Sequence, residues 1–281
     1  MIFNFVIISA YCKISLIKMN RIDEKFLELG RKGEKALITY FTAGLPTEGE
    51  TARIVKEAER AGADIVELGI PFSDPIADGP VIQRASFAAL EKGMNTDRVF
   101  GICENLKHSI TIPYLLMTYY NPVYRYGLSR FAKKCTDTGV SGVIIPDLPH
   151  EESADARNIF RKRGIILINF LTPFTPLKRA RRILENAEGF VYLVTHAGVT
   201  GQKSDIPDGT LKAIKRFGKM TDVPIAAGFG ISTTEQVSRI GRSVDGVIVG
   251  SFLVKKIIDD KIEELWETIA NLKKALAGRN S

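Results

Sequence analysis

The sequence predicts a single-domain (β/α)8 barrel, a TIM barrel in the α/β class, with an extra helix before the first strand. Three observations lead to this fold class. Short β-branched apolar segments alternate with amphipathic helical segments without a break, eight such strand segments occur, and the chain has 281 residues, a length that one barrel domain can fill. Uninterrupted strand–helix alternation predicts parallel strands joined by right-handed crossovers, and eight such units predict closure of the sheet.

The predicted strands are short apolar runs that cover residues 36–41, 64–68, 113–118, 142–146, 165–170, 190–195, 224–227 and 246–249. Helical periodicity fills the intervals, for instance over residues 51–61, 97–107, 129–138, 153–163, 177–187, 210–217, 233–240 and 262–276. An amphipathic segment over residues 19–29 predicts an opening helix before the first strand.

The alternative architecture is an open, doubly wound sheet. Its dinucleotide-binding form shows GxGxxG after the first strand, whereas residues 42–46 of this chain read TAGLP. No Pro/Gly/Ser-rich linker divides the chain, so we expect one barrel domain over residues 19–281. We expect residues 1–18 to be an extension outside the fold, with a mis-assigned start as the explanation, because their apolar run is too short to cross a bilayer and lacks the flanks of a secretory signal.

The composition is that of an ordinary globular protein, with 45% hydrophobic and 25% charged residues. The net charge is +7, but Lys and Arg are spread along amphipathic segments, which argues against nucleic acid and membrane partners and is compatible with an anionic substrate. The cysteines form no CxxC pair and the histidines show no metal-ligand spacing; they are Cys12, Cys103, Cys135, His108, His150 and His196. We therefore expect a reducing cytoplasm, no disulfide framework and no metal.

The second strand and the loop after it carry two carboxylates. Glu67 lies in the apolar run 65–70, and no Lys or Arg occurs between residues 61 and 83. It is either a buried carboxylate satisfied by loop amides or a more distant cation, or a partly protonated general acid. Asp78 either faces Glu67 across a cleft or forms a common Asp–Gly turn with Gly79.

In a barrel of this kind the loops after the strands build the functional site. Gly228 and Gly230 follow the seventh strand and Gly250 and Ser251 follow the eighth, where a helix beginning at residue 251 or 252 would direct its positive end at an anion. This pattern favours a phosphate site, to which Gly201 would add another amide. The alternative is that these glycines only form tight turns.

Two strand tyrosines have no unique interpretation from sequence. Tyr40 lies in the first predicted strand and Tyr192 in the sixth, and each is either part of the core or part of the lining of the mouth.

Five motifs in the same order resemble the tryptophan synthase alpha chain family over most of the chain, from about residue 20 to the C-terminus. They are ELGIPFSDPIADGP at 67–80, LMTYYNP at 116–122, Pro146–Asp147, AGVTG at 197–201 and GFGIS at 228–232. The resemblance implies a (β/α)8 enzyme that cleaves indole-3-glycerol phosphate by a retro-aldol reaction into indole and glyceraldehyde 3-phosphate.

The resemblance also assigns residues to roles. Glu67 would be the acid/base that protonates indole C3, and Asp78 would bind the indole N–H and stabilise positive charge on the ring. The substrate would also be bound by the indole-pocket residues Tyr40, Leu116, Ile144 and Tyr192, by the loop residue Thr200, and by the phosphate-binding residues Gly201, Gly228, Phe229, Gly230, Gly250 and Ser251.

The family works with a beta chain, a pyridoxal-phosphate enzyme, in what we expect to be an α2β2 heterotetramer. The resemblance implies no cofactor in this chain and a partner surface that includes Asp74, Asn121 and Pro122. Thr195–His196 stands where many members have Ser-Arg, and Leu45 replaces an acidic residue of some relatives, so the resemblance assigns no cation to the phosphate site at residue 196.

Two other kinds of function remain open at this point. Another phosphate-binding barrel, such as an indole-glycerol-phosphate synthase, would need a catalytic lysine at a strand end, which the predicted strands lack, and a prenylglyceryl phosphate synthase would be expected to need magnesium. A barrel that only activates a beta chain would have no use for Glu67 and Asp78.

Overall fold

The structure is a computed structural model that describes residues 19–194, 208–228, 230 and 233–277. Its centre is a parallel sheet with strands β1 (Ala36–Thr42), β2 (Ile65–Gly69), β3 (Tyr114–Met117), β4 (Gly142–Ile144), β5 (Ile166–Leu167), β6 (Asn169–Leu171), β7 (Val191–Val194), β8 (Ile225–Gly228) and β9 (Gly246–Val249). Every predicted strand is present, with ends that differ by a residue or two.

The sheet closes into a barrel with eight strand positions. Neighbouring strands follow the order β5–β4–β3–β2–β1–β9–β8–β7–β6, and the pairings are parallel. The two outer strands, β5 and β6, are separated in the chain by Ile168 alone. The Ile168 N–H still donates to the Val143 carbonyl of β4 at 3.0 Å, whereas β6 pairs with β7. Strands β5 and β6 therefore act as one strand, interrupted at Ile168, that links the two outer edges of the sheet. The predicted (β/α)8 barrel is confirmed.

Helices cover the outside of this barrel. They are α1 (Arg21–Lys32), α2 (Glu48–Arg60), α3 (Pro80–Glu91), α4 (Thr96–Leu106), α5 (Tyr120–Tyr126), α6 (Leu128–Asp137), α7 (Ala154–Arg161), α8 (Leu177–Leu184), α9 (Asp208–Gly218), α10 (Thr234–Gly241), α11 (Ser251–Ile258) and α12 (Glu263–Leu276). Within the described ranges, no helix is both long and apolar enough to cross a membrane.

Helix α5 begins directly after β3, and its first residues are Tyr120, Asn121 and Pro122. Proline usually interrupts a helix. In the first turn, however, the backbone N–H has no intrahelical acceptor, so a proline there removes no hydrogen bond. Asn121 and Pro122 therefore lie on the first turn of a short helix.

Helix α1 closes the amino-terminal end of the barrel, as the prediction of an extra helix requires. The Asn20 side chain accepts the Ile22 N–H at 2.9 Å and donates to the carbonyls of Ser141 and Gly164 at 2.9 and 2.8 Å. Ile22 is fully buried and lies against β4 at Gly142. The capping residue of α1 therefore also ties the helix to the loops that enter β4 and β5.

Candidate functional site

A narrow cavity of about 60 Å³ lies at the carboxyl ends of the strands. Its wall is formed by Tyr40, Glu67, Asp78, Gly79, Ile82, Met117, Tyr192, Gly230, Ile248, Gly250 and Ser251. The two acids, both tyrosines and three residues of the expected phosphate loops therefore meet at one opening. The residues of the wall come from strands β1, β2, β3, β7 and β9 and from the loops that follow β2 and β8.

Glu67 lies in the middle of β2 and is 1% exposed. Its Oε1 atom has no hydrogen-bond partner among the described residues. Burial raises the pKa of the carboxyl group from 4.5 to about 8, because the charged form would lose its hydration in an apolar barrel. Glu67 is therefore a neutral acid at neutral pH, with its proton held in the cavity wall.

Asp78 is half-buried at the end of the loop between β2 and α3. The Tyr119 hydroxyl donates to its Oδ2 atom at 2.9 Å and accepts the Ala77 N–H at 3.0 Å. The ring of Tyr119 also packs against Phe72 with 5.3 Å between ring centroids. Burial raises the pKa of Asp78 from 3.8 to about 6, and the hydrogen bond from Tyr119 limits the rise. Asp78 is therefore mostly ionised at pH 7, where Glu67 is mostly protonated.

The two tyrosines whose position was ambiguous both line the cavity, and glycines on neighbouring strands give them room. A Cβ atom on Gly69 would lie 2.1 Å from the Tyr40 hydroxyl oxygen, and one on Gly228 would lie 2.6 Å from the Tyr192 hydroxyl oxygen. The Tyr40 hydroxyl is 3.4 Å from Thr42 Oγ1. Gly228, the last residue of β8, therefore leaves the space that the ring of Tyr192 occupies.

Backbone features typical of an anion site occupy the far end of the cavity. Gly230 has a φ of +77°, a conformation that L side chains rarely adopt. Gly250 precedes helix α11, which begins at Ser251 as predicted, so the positive end of that helix faces the cavity. Thr200, Gly201 and Phe229, like Thr195 and His196, lie outside the described residues.

Leu116 is not in the cavity wall, and strand register gives the reason. Glu67 is paired with Leu115, so these two side chains point into the barrel, and Met117 points the same way two residues later. Leu116 has the opposite parity and faces the surrounding helices. The motif at residues 116–122 identified the right strand, but Met117, the next residue, lines the cavity in place of Leu116. Ile144, paired with Met117, is fully buried and also outside the wall.

Sequence reasoning missed several cavity residues, namely Gly79, Ile82, Met117 and Ile248. Apolar side chains on strands and helices look alike in sequence whether they face a cavity or the core. Only Gly79 carried a signal, since it follows Asp78 in the loop motif. Within the described part of the chain, no group of three or more His, Cys, Asp or Glu residues has the arrangement of a metal site.

The residues that the resemblance assigned to a partner surface lie around the rim of this opening. Asp74 and Asn121 are exposed and Pro122 is half-buried. Two large apolar side chains beside them are strongly exposed, Ile76 at 81% and Tyr124 at 70%. The rim therefore offers apolar area of the kind that protein interfaces cover.

Comparison with known proteins agrees with this geometry. The family model described as "Tryptophan synthase alpha chain" matches residues 26–279. The tryptophan synthase alpha chain of Methanosarcina barkeri is 46% identical over 256 residues, covering 90% of this chain and 96% of that protein, and that of Thermoanaerobacter sp. strain X514 is 43% identical, covering 92% and 100%.

Solved structures agree as well. Tryptophan synthase subunit alpha of Legionella pneumophila is 33% identical with a TM-score of 0.85, covering 92% of this chain and 99% of that one. A chain of Mycobacterium tuberculosis tryptophan synthase is 30% identical with a TM-score of 0.87, covering 93% and 100%.

A tryptophan synthase alpha chain is a carbon–carbon lyase subunit of tryptophan biosynthesis that cleaves indole-3-glycerol phosphate. It has no cofactor of its own, because pyridoxal phosphate belongs to the beta chain with which it pairs. On the match of nearly the whole chain and on the shared barrel, the protein belongs to the tryptophan synthase alpha chain family.

Proposed function

We propose that Glu67 and Asp78 are the two catalytic acids of the lyase reaction and act in opposite protonation states. The observation that supports this most is their shared cavity, in which Glu67 has a pKa of about 8 and Asp78 a pKa of about 6. Two carboxyl groups whose environments separate their pKa values are typical of an acid and a charged stabiliser in one site.

The proposed reaction needs an acid above the indole ring and a negative charge at its nitrogen. Glu67 donates its proton to indole C3, and Asp78, ionised, accepts the indole N–H and stabilises the positive charge that forms on the ring. The carboxylate that Glu67 has become then removes the proton from the glycerol hydroxyl next to the ring. As the O–H electron pair forms the aldehyde carbonyl, the bond from that carbon to indole C3 breaks and its electron pair returns to the ring, which gives indole and glyceraldehyde 3-phosphate.

The substrate phosphate is assigned to the opposite end of the cavity, at Gly228, Gly230, Gly250 and Ser251, with Gly201 and Phe229 as further members. The N–H groups that begin α11 suit an anion because they have no intrahelical acceptor. Tyr40 and Tyr192 form walls for the flat ring, Met117 takes the place first assigned to Leu116, and Thr200 is assigned to closing the loop over the site. Binding energy from the remote phosphate would orient the reacting carbon.

The rest of the proposal concerns the setting of the enzyme. The beta chain would dock on the rim that contains Asp74, Asn121 and Pro122, in an α2β2 assembly, and the complex would work in the cytoplasm. Residues 19–281 would form the catalytic barrel, with residues 1–18 outside it.

The substitution Glu67→Gln tests the central assignment. Gln has the same shape but no acidic proton, so release of glyceraldehyde 3-phosphate from indole-3-glycerol phosphate should fall by about 100-fold or more. The assay is run with purified chain in EDTA, alone and with a beta chain. Glu267→Gln, at an exposed position on α12, is the matched control and should keep full activity.

Two outcomes would contradict the proposal. Unchanged turnover of folded Glu67→Gln would remove Glu67 from the mechanism. Loss of wild-type turnover in EDTA would favour a metal-dependent phosphate barrel instead.

A further inference from the structure

We propose that Asp147, a residue outside the wall of the catalytic cavity, positions Asp78 through the first turn of helix α5 and the side chain of Tyr119. The inference rests on the proposed function, in that it assumes Asp78 acts as the ionised partner of Glu67. Asp147 follows β4, whereas Asp78 follows β2, so the two acids belong to different loops of the barrel.

Tyr119 is the last link in this chain of contacts. Its hydroxyl group bridges the Ala77 N–H and the Asp78 carboxylate at 3.0 and 2.9 Å. Both bonds go to the loop after β2, and they fix the direction of the Asp78 side chain together with its backbone. Tyr119 is 3% exposed, so water does not readily replace these bonds.

Asp147 holds the backbone that carries Tyr119. Tyr119 is the residue before helix α5, and its own side chain makes no capping hydrogen bond. The Asp147 Oδ1 atom instead accepts the Tyr120 N–H at 2.8 Å. A carboxylate at this end satisfies a backbone N–H that has no intrahelical acceptor and also interacts favourably with the helix dipole.

The negative charge of Asp147 also acts on the phenol group of Tyr119. Together with burial and Asp78, it raises the pKa of the Tyr119 phenol, which keeps that hydroxyl a donor to Asp78 at every working pH. The other titratable groups that face Asp78 among the described residues are Tyr40, Glu67 and Tyr192. The Tyr119 hydroxyl, as described above, donates to the Asp78 carboxylate.

Asp147 lines a second, wider cavity of about 300 Å³ that also contains His150, Phe170 and Arg179. Asp147 does not itself line the catalytic cavity, so a substitution at residue 147 removes no group of that wall and acts on Asp78 through α5 and Tyr119.

Three variants separate positioning from simple stability. Tyr119→Phe removes the bridging hydroxyl, Asp147→Ala removes the acceptor that holds α5, and Asp147→Asn retains an amide oxygen at the same place. The matched control is Asn95→Ala, since the Asn95 side chain accepts the Arg98 N–H at 3.0 Å and caps α4 away from the site.

The readouts are the pH profile of kcat/KM for indole-3-glycerol phosphate and the thermal midpoint of each variant. The Tyr119 hydrogen bond lowers the pKa of Asp78. Its loss should therefore move the acidic limb of the profile, which is the rise of kcat/KM with pH as Asp78 ionises, to higher pH by about half a unit to one unit. Tyr119→Phe and Asp147→Ala should show this shift and lose about tenfold in kcat/KM at pH 7. Asp147→Asn should stay within about threefold of wild type, and Asn95→Ala should lower the midpoint without moving the limb.

An unmoved acidic limb in Asp147→Ala, with a lowered midpoint like that of Asn95→Ala, would overturn the proposal and leave Asp147 a structural cap. The proposed function is tested separately by Asp78→Asn. If that variant kept the acidic limb, the limb would belong to another group and the role of Asp78 itself would fail.

Discussion

At the scale of single residues, the site depends on two carboxyl groups that experience different surroundings. Glu67 projects from a strand into a barrel that offers it no hydrogen bond to Oε1 within the described residues, whereas Asp78 sits on a loop and receives one from Tyr119. Burial raises both pKa values, but the hydrogen bond keeps that of Asp78 lower. The difference follows from position in the fold, since both side chains carry the same acid group.

This difference predicts a bell-shaped pH dependence of kcat/KM. In the proposed mechanism, turnover requires Asp78 ionised and Glu67 protonated, so kcat/KM should rise with pH through about 6 and fall through about 8. Initial rates of glyceraldehyde 3-phosphate formation between pH 5 and 9 measure both limits. A rate that keeps rising from pH 7 to pH 9 would show that a neutral Glu67 is not required.

At the scale of elements, the close approach of neighbouring strands gives the cavity its shape. Thr42 of β1 pairs with Gly69 of β2, and the ring of Tyr40 turns across the end of β2. Any side chain on Gly69 would enter the volume of that ring. The glycine therefore allows the ring of Tyr40 to lie beside the strand that carries Glu67, so its role is in the contact between two strands.

The substitution Gly69→Ala should impair substrate binding while leaving the barrel folded. Its Cβ atom would lie 2.1 Å from the Tyr40 hydroxyl oxygen and force the ring to shift within the cavity. Overpacking of this kind costs about 1–3 kcal/mol, so kcat/KM should fall roughly tenfold to hundredfold, mainly through KM.

Gly101→Ala is the control for this prediction, because a Cβ atom there meets nothing within 4 Å in helix α4. Kinetics with varied indole-3-glycerol phosphate measure both variants. Equal KM values for Gly69→Ala and wild type would mean that Tyr40 does not contact the substrate.

At the scale of the whole molecule, the two ends of the barrel contribute differently to the stability of the fold. The amino-terminal end is closed by polar contacts, among them Asn20 beneath α1 and the Lys273 ammonium of α12, which lies 2.8 Å from Asp64 Oδ2. The carboxyl end holds a buried acid that destabilises the folded state. A stable framework at one end thus tolerates an unfavourable group near the other.

This arrangement predicts that Glu67→Gln stabilises the fold as the pH rises. Glu67 ionises near pH 4.5 when exposed and near pH 8 in the folded chain, so between these values the folded state holds a proton that the unfolded state has lost. Its contribution to stability therefore falls with increasing pH in this window. Gln carries no such dependence, and the variant should gain on the order of a few kcal/mol over wild type by pH 8.

Urea unfolding at pH 5, 6.5 and 8 measures this gain. For the control Glu267→Gln, the difference from wild type should stay nearly constant across the same range. A constant difference for Glu67→Gln as well would mean that Glu67 is ionised in the folded protein.

Much of this architecture is readable from the chain in order. The eight strand segments show themselves by apolar content and by their alternation with amphipathic helices, and helix α11 begins at Ser251 where the Gly–Ser pair indicated. Glu67 stood out because a carboxylate in an apolar run is costly, and the glycine pairs stood out by following consecutive strands. These are local signals, since each depends on residues close together in sequence.

The remaining features depend on contacts between residues far apart in sequence. Parity within a strand is visible from sequence, but which parity faces inward depends on register with the neighbouring strands, so Leu116 was assigned where Met117 lines the cavity. The acceptor for the first N–H of α5, Asp147, likewise comes from another loop, 27 residues further along the chain.

By itself, then, the sequence determined the alternation of strands and helices and the family, and it marked Glu67 and Asp78 as candidates for the site, because propensity, periodicity and motif spacing are properties of short segments. Only the tertiary structure decided which side chains face the cavity, that Gly69 makes room for Tyr40, and that Tyr119 holds Asp78. The physical reason is that closure of the barrel brings together strand ends tens of residues apart, and burial and hydrogen bonding at those ends exist only after closure.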